Sequence, residues 1–176
     1  EADFYSFYGS IDALKEDIWI KFYENTASNL VKDKNFSSYS NRNKLLSLYF
    51  TMFEILTLNR SYVYFTLKDT KDVLKTLKQL KGLREHFKGF INKIIDENEE
   101  AKNEKKKKIT KPIFAEGAWV QFLFLLKFWL EDTSKGFEKT DIMIEKSVKA
   151  ALDVLDTTPL ESVIDLGKFI WKERFN

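Results

Sequence analysis

The chain has 176 residues, a net charge of +2, six glycines, two prolines and no cysteine. That length suits one domain with a substantial core. The near balance of charge does not announce a nucleic-acid surface, and without cysteine there are no disulfides and no thiolate metal sites.

Helix breakers are scarce while leucine, lysine and glutamate abound, a composition that favours helices. Ser10 is placed to cap a helix, with Asp12 in its first turn complementing the positive helix end. Leu14, Ile18 and Phe22 follow at helical spacing, so 10–33 reads as one long helix. Serine and asparagine then make 34–43 a loop. A second helix spans 41–58, with Leu45, Leu48, Phe53 and Leu56 inward. Residues 60–67 alternate like a strand, but no second strand-like run exists to pair with them, so a short helix is predicted.

Asp69 or Thr70 opens a long helix to about 100 carrying Leu77, Leu80, Leu83, Phe87, Ile91 and Ile94. The charge run 97–111 reads as a solvated helix end and a mobile loop rather than a phosphate-binding patch. Pro112 is expected to begin the next helix, where its missing N–H costs little. That helix ends near Asp132. Ala115, Ala118, Trp119, Phe122, Leu126 and Trp129 share one side of it, and Val120, Phe124 and Phe128 lie on the other. A helix apolar all round must be buried all round. Burial within the subunit on one face and against a second subunit on the other meets that demand. Glu116, Gln121 and Lys127 interrupt the apolar run, which falls short of a clean membrane span, so no membrane is expected.

A further helix covers 137–156, with Ile144, Val148, Ala151, Leu152 and Leu155 on one stripe and Met143, Ser147, Ala150 and Val154 on a second, mostly small one. Pro159 starts a last helix. The sum is an all-α bundle of six or seven helices. No glycine-rich phosphate loop and no Gly-x-Ser-x-Gly elbow occur. His86 is the sole histidine, so no histidine metal cluster can form. An enzyme is not expected, nor a cofactor or metal.

The stretch Phe4-Tyr5-Ser6-Phe7-Tyr8-Gly9-Ser10, followed by Asp12-Ala13-Leu14, resembles the end of the DNA-binding region of the TetR family of transcriptional regulators. There an aromatic run closes the recognition helix of a helix-turn-helix, and a Gly/Pro-Ser turn leads into a linking helix. The resemblance implies that residues 1–9 are the remnant of a DNA-reading module whose earlier helices precede Glu1. It implies that 10–176 form the linking helix and an effector-binding and dimerisation domain. Tyr5 matches the family's phosphate-contacting tyrosine, and Lys15 could add charge one turn later. Two positions depart from the pattern: Ile11 stands where the family usually has a phosphate-contacting lysine, and Phe7 where a histidine or tyrosine is common.

The same resemblance implies a cytoplasmic homodimer that binds a DNA operator through its full-length parent and responds to a small hydrophobic or aromatic effector. Phe50, Phe53, Tyr62, Phe65, His86, Phe90, Trp119 and Phe122 sit on the segments that surround the family's effector cavity. With sixteen Phe, seven Tyr and four Trp, the chain supplies either aromatic cavity walls or a filled aromatic core. Helices 112–131 and 137–156 would pair with their two-fold mates, with Val120, Phe124, Phe128, Val148 and Leu152 as interface candidates. The alternative is a TetR-shaped carrier of lipid or another hydrophobic ligand, without DNA binding.

Overall fold

The computed structural model describes residues 2–68, 73–98 and 104–157. Among them eight α-helices and no strand occur: α1 (Ala2–Phe7), α2 (Ile11–Lys32), α3 (Asn41–Leu58), α4 (Arg60–Lys68), α5 (Val73–Gln79), α6 (Lys81–Asn98), α7 (Glu104–Glu131) and α8 (Glu138–Thr157). The cap read from sequence at Ser10 is in place, and the structure adds a second at Ser40. The Ser10 hydroxyl accepts from the Ala13 N–H and starts α2, and Ser40 does the same for α3 through Asn43. The helix expected from Pro159 lies outside the described residues.

Two boundaries differ from the sequence expectation. The long helix at 70–100 is broken at Leu80 into α5 and α6. No glycine or proline stands at Leu80 itself, and α2 packs on both pieces. Two residues later Gly82 meets α2 so closely that a Cβ there would lie 2.6 Å from Ile20 Cδ1. The lack of a side chain is what permits this approach. Pro112, expected at a helix start, lies inside α7, which begins eight residues earlier within the lysine-rich run. Part of the predicted mobile loop is therefore helical. The proline removes one backbone hydrogen bond from the ladder.

The core is a lattice of aromatic rings held between α3, α6 and α7. Phe53 packs on Phe122 and Trp129 with ring centroids 5.9 and 6.1 Å apart, and Phe87 lies 5.8 Å from Trp119 and 5.4 Å from Phe122. The faces of α7 separate as its wheel predicts. Ala115, Trp119, Phe122, Leu126 and Trp129 are buried, whereas Val120 and Phe124 are 62% and 52% exposed. By length and composition Lys111–Glu131 is apolar enough to cross a membrane, contrary to the sequence expectation. Its buried inner face shows the same helix serving as the core element of a bundle.

The α7–α8 corner is held by polar contacts. Arg60, at the start of α4, donates to the carbonyls of Trp129, Leu130 and Asp132 at and just past the end of α7, the first of which also accepts from the Asp132 N–H. Its guanidinium carbon lies 4.4 Å from the Trp129 ring centre and 4.5 Å from that of Phe137. Phe137 follows Gly136, and both adopt positive φ (62° and 63°). That conformation is strained for phenylalanine, and the Arg60–Trp129 sandwich offsets the strain. The buried Asp132 carboxylate accepts from the Ser134 N–H and hydroxyl and from the Thr140 N–H and hydroxyl, which ties the corner to the first turn of α8. Burial alone would push its pKa up. The four donors outweigh burial and hold it at about 2.

Replacing Arg60 by alanine should destabilise the fold by about 2–4 kcal/mol, and lysine should restore only part of that, because it lacks the planar fork; urea denaturation measures both. For Asp132 the folded pKa lies below the ordinary 3.8, so its contribution is complete above that value and fades as pH falls toward about 2. The stability gap between the unaltered protein and Asp132→Asn should therefore be widest near neutral pH and narrow in acid. A gap independent of pH would refute this account of the corner.

Candidate functional site

Between α3 and α6 on one side and α7 and α8 on the other lies a half-open cavity of about 480 Å³. Four elements wall it: Asn41 and Leu45 from α3; Ile91, Ile94 and Ile95 from α6; Ile113, Phe114, Gly117, Ala118 and Gln121 from α7; and Ser147, Ala150, Ala151 and Leu152 from α8. Its origin is readable in the residue sizes. Where α7 and α8 face it they carry Gly117, Ala118, Ser147, Ala150 and Ala151, side chains too short to fill the space between the helices. The isoleucines of α6, spaced three and one apart, form one continuous aliphatic wall.

Besides Asn41 on the α3 wall, one polar cluster breaks the apolar lining. Gln121 donates through Nε2 to the Ser147 hydroxyl (2.9 Å), which donates to the Ile144 carbonyl (3.1 Å). Behind them the Tyr49 hydroxyl shares its proton between the Ala118 carbonyl (3.0 Å) and Gln121 Oε1 (3.1 Å). Tyr49 is fully buried, and desolvation pushes its phenol pKa far up, so it remains a donor at any working pH. With Oε1 accepting from Tyr49, the amide is oriented and its N–H groups are turned toward Ser147. Nearby, Glu116 accepts from Lys88 and Arg84 and is held below the usual carboxylate range by those two donors. Lys111 pairs with Asp96.

None of the eight effector candidates named from sequence lines this cavity. Phe53, Trp119 and Phe122 belong to the stacked core. Phe50 is half-buried, and Phe90 is half-buried against Phe36. Phe65 is 67% exposed, and His86 is exposed and stacked on Tyr23. Large rings fill space; the void lies where side chains are small. Tyr62 is a separate case. Its hydroxyl is buried without a partner among the described residues, as is Trp19 Nε1, and Phe22 packs on both rings. Sequence reading missed the Tyr49–Gln121–Ser147 chain, because no local pattern marks a hydrogen bond between helices distant in sequence.

At the other end of the molecule Tyr5 is 60% exposed, and Lys15 is half-buried. Tyr8 ties α1 to α2 by donating to Asp17 Oδ2 (2.7 Å). Of the interface candidates, Val120 and Phe124 face outward, joined by the exposed Ile113, and Phe128 is half-buried. Val148 is fully buried in the subunit's own core, and Leu152 is half-buried against the cavity. Those two lie on the inward stripe of α8 and do not form an outer face. Among the described residues no group of three or more His, Cys, Asp or Glu side chains is placed to hold a metal ion.

Compared with known families, residues 44–170 match the one described as "Tetracyclin repressor-like, C-terminal domain". The chain belongs to this family. The match starts within α3 and runs past α8, so it takes in all four walls of the cavity except Asn41, and the whole α7–α8 corner, while α1 and α2 precede it. No curated protein and no solved structure matches the chain. The all-α architecture is that of the tetracyclin repressor-like C-terminal domain.

Replacing Tyr49 by phenylalanine removes the donor that orients Gln121 without changing the packed volume. A loss of about 1–2 kcal/mol is expected, as for a buried hydrogen bond broken on one side. Thermal denaturation checks it, and an unchanged stability would show that the Tyr49–Gln121–Ser147 chain does not fix α7.

Proposed function

We propose that the chain is the effector-binding and dimerisation part of a one-component transcriptional regulator acting in the cytoplasm. Membership of a family of regulators rather than enzymes supports this reading. The observation that carries it is the seat of the cavity. Its walls include α3 and α6, the two helices on which α2 packs most extensively, together with α7 and α8. A small hydrophobic ligand held there touches both the support of α2 and the helices that would face a second subunit.

In this proposal Val120 and Phe124 meet their counterparts across a two-fold axis. α1 and α2 link each body to a DNA-reading module in the full-length parent, with Tyr5 and Lys15 near phosphate. Two such modules would address half-sites about one DNA turn apart, ~34 Å. The ligand acts through unequal affinity for two positions of α2, with a coupling on the order of 1–3 kcal/mol.

Light scattering at micromolar concentration should give a dimer for residues 1–176 and a monomer, with unchanged circular dichroism, for the double variant Val120→Glu/Phe124→Glu. The full-length parent should retard DNA from its own promoter in a gel, and residues 1–176 alone should not. A monomeric unaltered protein, or a parent that ignores that DNA, would refute the reading.

A further inference from the structure

We infer that the cavity takes a neutral, largely aliphatic ligand that ends in a hydrogen-bond acceptor such as an ester, amide or ketone carbonyl; this rests on the effector reading given above. Three observations lead there.

The first is the character of the walls. Apart from Phe114, the apolar side chains lining the cavity are aliphatic, with Leu45, the α6 isoleucines and Leu152 prominent. The large rings of the molecule pack on one another elsewhere. A flat aromatic effector would find little surface on which to stack, whereas a flexible chain conforms to such a wall. The volume of about 480 Å³ holds on the order of fifteen groups of water size, enough for a medium-length chain.

The second observation is charge. No Asp, Glu, Lys or Arg side chain lines the cavity among the described residues. Lys111, two residues from the lining Ile113, is paired with Asp96. Lys88 and Arg84 are paired with Glu116. An ionised carboxylate or ammonium group would lose its hydration on entering and gain no counter-ion.

The third is the polar spot. Gln121 Nε2 carries two hydrogens and gives one to Ser147. The other is left to donate to a ligand oxygen. Oε1 already receives the Tyr49 proton, so the amide is presented as a donor. That polarity selects an acceptor on the ligand.

The test titrates residues 1–176 at neutral pH with methyl decanoate, decanoate and naphthalene, binding being read directly by isothermal titration calorimetry. Gly117→Phe serves as the blocking variant: a Cβ built at Gly117 meets nothing within 4 Å, and the residue lines the cavity. Methyl decanoate should bind at least ~10-fold more tightly than decanoate, whose charge must be desolvated. Gly117→Phe should abolish that binding. Gln121→Leu should weaken the ester about 3–10-fold, the loss of one hydrogen bond. Ranking the ester against the acid in the unaltered protein decides the class even if that variant does not fold. Tighter binding of decanoate or naphthalene, blocked by Gly117→Phe, would overturn the ligand class and leave the effector reading intact. Failure of every probe to bind in a way that Gly117→Phe blocks would overturn both.

Discussion

The fold depends on how α7 is fixed in rotation. A helix with apolar residues around its whole circumference gains nearly as much by burying one side as another, so hydrophobic burial alone does not choose its orientation. Here the choice is made by polar contacts. Gln121 is reached by Tyr49 from α3 and reaches Ser147 on α8, so it can point only into the seam between them. Glu116 is gripped from α6 by Arg84 at 2.6 and 2.8 Å. Arg60 holds the last carbonyls of the helix. These contacts together leave Trp119, Phe122 and Trp129 inside and Val120 and Phe124 outside. Each polar group contributes modestly to net stability, but each would be costly to leave buried and unpaired in the wrong rotation. Polar specificity of this kind sets which apolar face becomes core.

The corner after α7 extends that control to α8. Phe137 tolerates positive φ because its ring is held against Arg60 and Trp129, and Asp132 bridges the turn to Thr140. A corner tied at both ends fixes the angle between α7 and α8. It thereby fixes how far the small residues at 117–118 stand from those at 150–151. The cavity is a by-product of that angle. Were the corner free to relax, the two helices could close on each other over their small faces, since an unfilled apolar space costs on the order of 24 cal/mol per Å³ of void.

Much of this was legible in the sequence. Ser10 announces α2 because a hydroxyl before a helical apolar pattern has one favoured use, whereas the same signal at Ser40 is hidden inside a stretch that reads as loop. The two faces of α7 follow from counting residues on a wheel. What could not be read is whatever depends on a neighbour distant in the chain. The break at Leu80 carries no glycine or proline of its own, and the close passage of α2 beside Gly82 two residues later depends on a partner distant in the chain. The helical reach of α7 through Pro112 goes against the position proline favours. The effector candidates rest on the segments that surround the family's cavity, whereas the walls of this cavity depend on which residues of α3, α6, α7 and α8 face one another. Val148 shows the same limit: its place on a stripe was clear, but whether the stripe faced the core or a partner was not.

The position of the cavity bears on how a bound molecule could be felt at a distance. Its α6 wall comes from the same helix that carries Gly82, and the Ile20 side chain of α2 lies over that glycine. Its α3 wall belongs to the other helix that flanks α2. On the proposed reading, a ligand that spreads α3 from α6 leaves α2 with two surfaces that no longer match, and close packing does not absorb such a mismatch gradually. The Gly82–Ile20 contact would then be the point at which filling an aliphatic space becomes a change in the angle of α2. A void bordered by a tied corner on one side and by the packing of α2 on the other is placed for such transmission.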